Sequence, residues 1–425
     1  MNQALFSFSE DLAVRPVRSA KSLEEELLAF REFGKETVCF ETVSVEGESV
    51  PTFVNEFWTS KQRAASRLHE ISYRACFKPQ LPRFFIERLT EPGDLVYDPF
   101  MGRGTTCLEA GLLGRIPAGC DINPLSTILA EPRLYPPLIK AVEDRLEEID
   151  FSEPVEFPEE LLVFYHPKTL GAIAALRAYF LRRKEEGKLD ETDRWIRMVA
   201  INRLTGHSPG FFSVYTMPPN QAVSVKSQIR INEKRNQTPP ERDVPALILR
   251  KSRQLLKDFD DQQRQNLRRL AGKGKLLTAS AADTPEIDSE SVALVVTSPP
   301  FLDVVDYAGD NWLRLWFCGI DPDDLEITVP AKLEVWEQEM EAVLRELGRI
   351  LRPDGQIAFE VGEVRGGKIK LEESVVRAAR RAGLCPRLIL INDQKFTKTA
   401  NCWGVDNGAK GTNTNRIVLL RKQKP

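Results

Sequence analysis

"LVYDPFMGRGTTCLEAG", residues 95–111, decides the fold. It opens as a buried strand ending on an acid, turns at Gly102-x-Gly104, and continues from Thr105 with apolar residues at helical spacing. Strand, glycine turn and helix in that order make the ligand end of a doubly wound α/β sheet. There small residues let the backbone approach a ligand, and free N–H groups stand at the helix start. The stretch lacks the third glycine of the dinucleotide fingerprint and the Lys-Ser/Thr of a P-loop, which disfavours nucleoside triphosphates.

Outward from this point, short apolar runs alternate with amphipathic segments. Strands are expected within 94–100, 117–123, 274–280, 292–298, 355–363, 386–393 and 415–422, and helices over 105–115 and 332–355. Such alternation predicts a parallel, doubly wound, Rossmann-like sheet. Residues 131–272 break the rhythm with charged helical stretches and the Pro-rich "NQTPPERDVP" loop at 236–245. The expected organisation is an N-terminal extension over 1–60, a first part of the main domain over 61–130, a mostly helical insertion over 131–272, and the remainder of the main domain over 273–425.

A length of 425 residues exceeds one ordinary core, and 42% hydrophobic with 28% charged residues is a globular composition. No run approaches the roughly 18 apolar residues of a membrane span, and the first residues do not read as a secretory signal, so a soluble, cytoplasmic protein is expected. Seven scattered cysteines without a C-x-x-C pair, and three histidines without ligand spacing, predict neither a disulfide framework nor a metal site.

The second strand ends in Asp121-Ile122-Asn123, about 20 residues beyond the first, where an acid commonly takes ribose hydroxyls. Asp283, after the 274–280 strand, is placed to accept from an exocyclic amine of an adenine. A nucleoside-bearing cofactor fits this pair. The 292–298 strand runs into Ser298-Pro299-Pro300-Phe301. Proline donates no ladder hydrogen bond and fixes φ near −65°, so two in a row hold the Ser298 side chain and the Pro299 carbonyl outward as rigid acceptors. Acceptors on both N–H groups of an aromatic amine favour a more tetrahedral nitrogen that can attack an electrophilic methyl, while Phe301 stacks on a base swung out of a duplex.

The pairing of "DPFMGRGTT" with "TSPPF" resembles the S-adenosylmethionine-dependent DNA amino-methyltransferases, which methylate N4 of cytosine or N6 of adenine. The resemblance implies that Asp98, Pro99, Phe100, Gly102, Gly104, Thr105 and Thr106 surround the methionine part of S-adenosylmethionine. It implies Asp121, Ile122 and Asn123 for the ribose, Asp283 for the adenine, and Lys78, in "FKPQLPRFFIERL" (77–89), at the methionine end. Ser298, Pro299, Pro300 and Phe301 become the catalytic loop. The order of the motifs is similar to the subgroup whose target-recognition region lies between them, although here that region precedes the Asp283 strand. In this family S-P-P usually accompanies N4-cytosine, which makes N4-cytosine the first expectation, N6-adenine the alternative, and an RNA guanine-N2 methyltransferase the third. C5-cytosine chemistry needs a thiolate, typically in a Pro-Cys pair, and no such dipeptide occurs.

Charge is unevenly spread. Residues 136–165 carry two basic and nine acidic side chains, whereas 222–275 carry fourteen basic and six acidic ones. The basic stretch suits a polyanion. Lys226, Arg230, Lys234 and Arg235 are the expected phosphate contacts to double-stranded DNA, and a separately acting restriction endonuclease is the partner that the resemblance implies.

Overall fold

The strands are nearly unbroken apolar runs because both faces of the sheet are covered. In Asn415–Lys422, Ile417 and Leu419 join one buried cluster and Val418 and Leu420 the other, and in Leu384–Asn392 the same division separates Leu388 and Leu390 from Ile389 and Ile391. Alternation of this kind follows from the two-residue period of a pleated strand.

The computed structural model describes residues 22–43, 49–59, 65–73, 76–217, 222–302, 307–325, 330, 332–364, 369–393 and 414–423. Its main sheet is built from β1 (Val38–Val43), β2 (Ser49–Asn55), β3 (Leu95–Asp98), β4 (Ile116–Asp121), β5 (Leu276–Thr278), β6 (Val292–Thr297), β7 (Leu351–Val361), β10 (Leu384–Asn392) and β11 (Asn415–Lys422), while β8 (Glu363–Val364) and β9 (Ile369–Lys370) pair separately. The order is β1-β2-β10-β11-β7-β6-β3-β4-β5. The sheet is α/β and doubly wound, as expected, but mixed instead of parallel. β11 runs antiparallel between β7 and β10, and an antiparallel β1–β2 hairpin from the N-terminal extension adds to the far edge.

One face carries α1 (Leu23–Ala29), α2 (Gln80–Leu89) and α3 (Thr105–Leu112). The other carries α12 (Leu333–Ile350) and α13 (Leu371–Arg381). Between β4 and β5 lie α4 (Pro124–Leu134), α5 (Ile139–Glu148), α6 (Pro167–Glu185), α7 (Glu191–Ile201), α8 (Val225–Arg235), α9 (Val244–Leu256) and α10 (Asp261–Ala271). These helices share a hydrophobic cluster with α3 and with α11 (Tyr307–Cys318), the helix that follows β6. Among the described residues no helix is long and apolar enough to cross a membrane.

Two glycines shape the turn after β3. Gly104, at φ +74°, stands where α3 begins, and a Cβ there would lie 2.6 Å from the Cβ of Ala130 on α4. Gly102, at φ +49°, would meet Tyr73 at 3.6 Å and the Phe100 carbonyl at 4.0 Å, both ordinary van der Waals contacts. Gly104→Ala is therefore expected to cost about 2–4 kcal/mol, from left-handed strain plus overpacking, and Gly102→Ala about 1–2 kcal/mol from strain alone. Urea unfolding of the two variants checks the difference, and equal midpoints would remove the α3–α4 contact as the reason for Gly104.

Candidate active site

Because β3, β4, β5, β6 and β7 are mutually parallel, Asp98, Asp121, Ser298 and Glu360 all stand at one carboxyl edge. The two motif loops are fastened together there. Thr297 Oγ1 donates to Asp98 Oδ1 at 2.7 Å, and Thr106 Oγ1 donates to the main-chain carbonyl of Val296 at 3.0 Å. Thr106 is thus a brace between α3 and β6. Thr105 accepts from Arg103 Nε at 3.1 Å, and Arg103 reaches on to the carbonyls of Ile71 and Phe77, which ties the segment before Lys78 to the glycine turn.

Asp98 is buried, and the groups that donate hydrogen bonds to it, the Thr297 hydroxyl and the Phe100 N–H, are both neutral. Burial raises its carboxyl to about 7, against the pull of those donors. Pro99 is buried behind it, and Phe100 packs half-buried on the sheet core. Asp121 accepts from Gly102 N–H at 2.8 Å and Asn123 N–H at 2.9 Å, so it also holds the turn in shape. Burial raises its carboxyl too. Asn123 is the N-cap of α4, accepting from Leu125 N–H at 3.0 Å, while its Nδ2 is buried without a hydrogen-bond partner among the described residues. Ile122 is a large apolar side chain left 38% exposed at this edge. Asp283 lies exposed beyond β5, near the charge of Arg349. Lys78 is exposed at the start of α2, where its carbonyl accepts from Leu81 N–H.

The double-proline loop is anchored from below. Trp336 of α12, fully buried, donates from Nε1 to the Pro300 carbonyl at 2.8 Å. Among the described residues no hydrogen bond falls on the Pro299 carbonyl, the acceptor that the sequence singles out. Phe301 is half-buried against the α12 side of the core. A residue that the sequence reading did not select completes the site. Glu360, buried at the end of β7, is hydrogen-bonded by the Ser298 side chain and by Asn415 Nδ2 at 2.9 Å. Burial pushes its carboxyl up to about 7. The signal was an acid closing the apolar run "QIAFE" at 356–360.

Lys226, Arg230 and Lys234 are exposed at four-residue intervals on α8 and form one stripe with Ile229. Arg235 lies over the ring of Tyr215 at 3.8 Å. The helix is hung from α11, since Ala222 N–H donates to the Asp310 carbonyl and Trp312 Nε1 to that of Val223.

A family model described as "DNA methylase" matches residues 23–129. The Type II methyltransferase M.MjaII of Methanocaldococcus jannaschii is 37% identical over 76 residues, covering 18% of this chain and 14% of that protein. The Type II methyltransferase M.BsoBI of Geobacillus stearothermophilus is 25% identical over 301 residues, covering 64% and 57%. A tRNA (guanine(10)-N2)-dimethyltransferase of M. jannaschii is 29% identical over 134 residues, covering 31% and 36%. The chain thus spans less than two thirds of the length of each of these relatives.

The side chains at this edge are chemically suited to S-adenosylmethionine, the cofactor of such enzymes. Among the described residues Asp98 is a buried carboxylate without a cation among its hydrogen-bond partners and Asn123 Nδ2 is a donor without an acceptor, while Ile122 offers an apolar surface. The motif pair and the family match lead to one conclusion: over residues 23–129 this chain is similar to the DNA methylases, the group that its paired motifs resemble.

Proposed function

We propose that the protein is a site-specific DNA methyltransferase acting on the exocyclic N4 amine of cytosine in duplex DNA, within a restriction-modification system whose nuclease acts separately. The observation that supports this reading is the 2.7 Å hydrogen bond from Thr297 to Asp98, which joins the strand end before the glycine turn to the strand end before the Ser-Pro-Pro-Phe loop. When bound, S-adenosylmethionine supplies an electrophilic methyl group. The Pro299 carbonyl and the Ser298 side chain accept the two N–H groups of the target amine. Glu360 receives the proton that the amine gives up, relayed by the Ser298 hydroxyl, and its carboxyl near 7 suits a base working at neutral pH. Phe301 presents a ring face to a base extruded from the helix. The residues assigned to the cofactor, from Lys78 and Asp98 to Asp121 and Asp283, and the α8 stripe assigned to DNA belong to the same proposal.

Incubation with labelled cofactor and mixed duplex DNA, followed by nucleoside mass spectrometry, is expected to yield N4-methylcytosine. N6-methyladenine would select the alternative base and keep the site. The tRNA methyltransferase relative gives the RNA reading its footing. Labelled N2-methylguanosine from RNA, with no DNA product, would replace the DNA assignment.

A further inference from the structure

The loop over 203–217 is compact and internally bonded. Phe212 N–H donates to the Arg203 carbonyl at 2.8 Å, Thr216 N–H to that of Gly206 at 3.1 Å, and Tyr165 Oη to that of Leu204 at 3.0 Å. Arg203 is held over the Phe211 ring at 4.1 Å. At the loop's tip several donors converge on one open spot. The position that a Cβ on Gly210 would occupy is 3.5 Å from Arg250 Nη2, 3.5 Å from Ser208 Oγ and 3.9 Å from Arg203 Nη1. Arg314 of α11 adds a third guanidinium, buried, donating to the Ser72 carbonyl at 3.0 Å and to Asn311 Oδ1 at 2.7 Å.

No carboxylate pairs with Arg203, Arg250 or Arg314 among the described residues. Asp310 acts on Arg314 through its charge without an ion pair between them, and Glu70 is already engaged, lying 3.5 Å from Lys251 Nζ and accepting from Gln254 Nε2 at 2.7 Å. Arg203 is pushed down to about 10, by burial first and then by Arg250 and Arg314. Clustered like charges persist in a fold when an anion relieves them, and paired guanidinium forks match a tetrahedral phosphate.

We infer that Arg203, Arg250 and Ser208 form a seat for one backbone phosphodiester of DNA, with Arg314 reinforcing its positive field. The inference rests on the DNA reading above and extends it. α11 begins six residues after Phe301 and carries both Arg314 and the anchor points of α8, so the seat and the basic stripe flank the helix that follows the catalytic loop. A phosphate fixed there sets the register of the strand from which a base is extruded.

Gly210 provides a test whose two readouts move in opposite directions. Its φ is ordinary and a Cβ would touch nothing closer than 3.5 Å, so Gly210→Asp places a carboxylate in the seat without backbone strain. This variant is expected to unfold at the same temperature as wild type or higher, because the carboxylate relieves the arginines. It is expected to bind a random-sequence duplex at least about tenfold more weakly, with its log K against log salt slope shallower by about one to two. Gly210→Ala should behave as wild type. Arg250→Gln should lower the slope by about one, while Arg345→Gln on the exposed face of α12 should not change it. Wild-type slope and affinity in Gly210→Asp would overturn the seat alone. Loss of S-adenosylmethionine affinity with DNA binding intact would also overturn it, by giving the cluster to the cofactor. If the wild-type protein binds no duplex DNA at all, the DNA reading falls as well.

Discussion

Asp98→Asn is expected to weaken S-adenosylmethionine by two to three orders of magnitude while leaving the ligand-free protein as stable as wild type or more so. The carboxylate is buried, its hydrogen-bond partners are neutral, and burial raises it to about 7. The ligand-free fold therefore favours the protonated acid below about pH 7, whereas in the unfolded chain the carboxyl ionises near its ordinary 3.8. Its contribution destabilises the native state progressively as pH rises from about 4 and does so in full above about 7. An amide keeps the shape, still accepts from Thr297, and removes this penalty. In the proposed site the α-ammonium of the cofactor would supply the cation that the carboxylate lacks, and losing such a desolvated charge pair typically costs about 2–5 kcal/mol of binding. Affinity in the wild type should rise as pH passes 7, with proton release on binding below it, and both effects should vanish in the variant. Isothermal calorimetry in buffers of different ionisation enthalpy measures both. Equal affinity in Asp98→Asn would remove the residue from cofactor binding.

The features written in local sequence were legible: the glycine turn, the double-proline stop and the order of strands over 94–123 and 274–298 all lie in short windows. The sheet's mixed character was not. Nothing in "NRIVLLRK" distinguishes a strand inserted antiparallel between two others from a parallel one, because either is buried on both faces and reads as an apolar run. The β1–β2 hairpin escaped for the opposite reason. It sits at the sheet edge with Val38 and Phe40 exposed, and its alternation is too weak to mark it.

Residue types announced the site, but their tasks depended on neighbours distant in sequence. Asp98 and Thr297 are 199 positions apart, and their contact follows from the β3–β6 pairing. Asp121 looked like a ribose ligand, and the fold adds the role of bracing Gly102. Trp336 looked like one more apolar position of an amphipathic helix, yet its indole N–H anchors Pro300 and leaves the Pro299 carbonyl without a partner among the described residues. Arg203 and Arg250 escaped because each is an ordinary basic residue in its own segment; only the loop at Gly210 brings them together.

Glu360→Gln is expected to lower turnover by about 10²–10³-fold, the range of a positioned general base, while substrate and cofactor affinities change little. The exocyclic amine must lose a proton once its nitrogen has formed the new bond. Glu360 is a titratable group hydrogen-bonded by the Ser298 side chain of the proposed catalytic loop, and Asn415 orients it from β11. A carboxyl near 7 is only partly ionised at neutral pH, so the wild-type single-turnover rate should fall with a slope approaching one below about pH 7. A glutamine accepts the same hydrogen bonds but cannot take the proton, so the variant should be slow and free of that acidic limb. Ser298→Ala should share the loss in rate, and the double variant should be no worse than about the slower single one, as residues acting as a unit behave. A role confined to packing predicts a different pattern: lower stability, weaker DNA binding, and an acidic limb that survives the substitution. Since the buried acid is itself a cost to the fold, Glu360→Gln should unfold no more easily than wild type, and a marked loss of stability would move Glu360 from chemistry to scaffold.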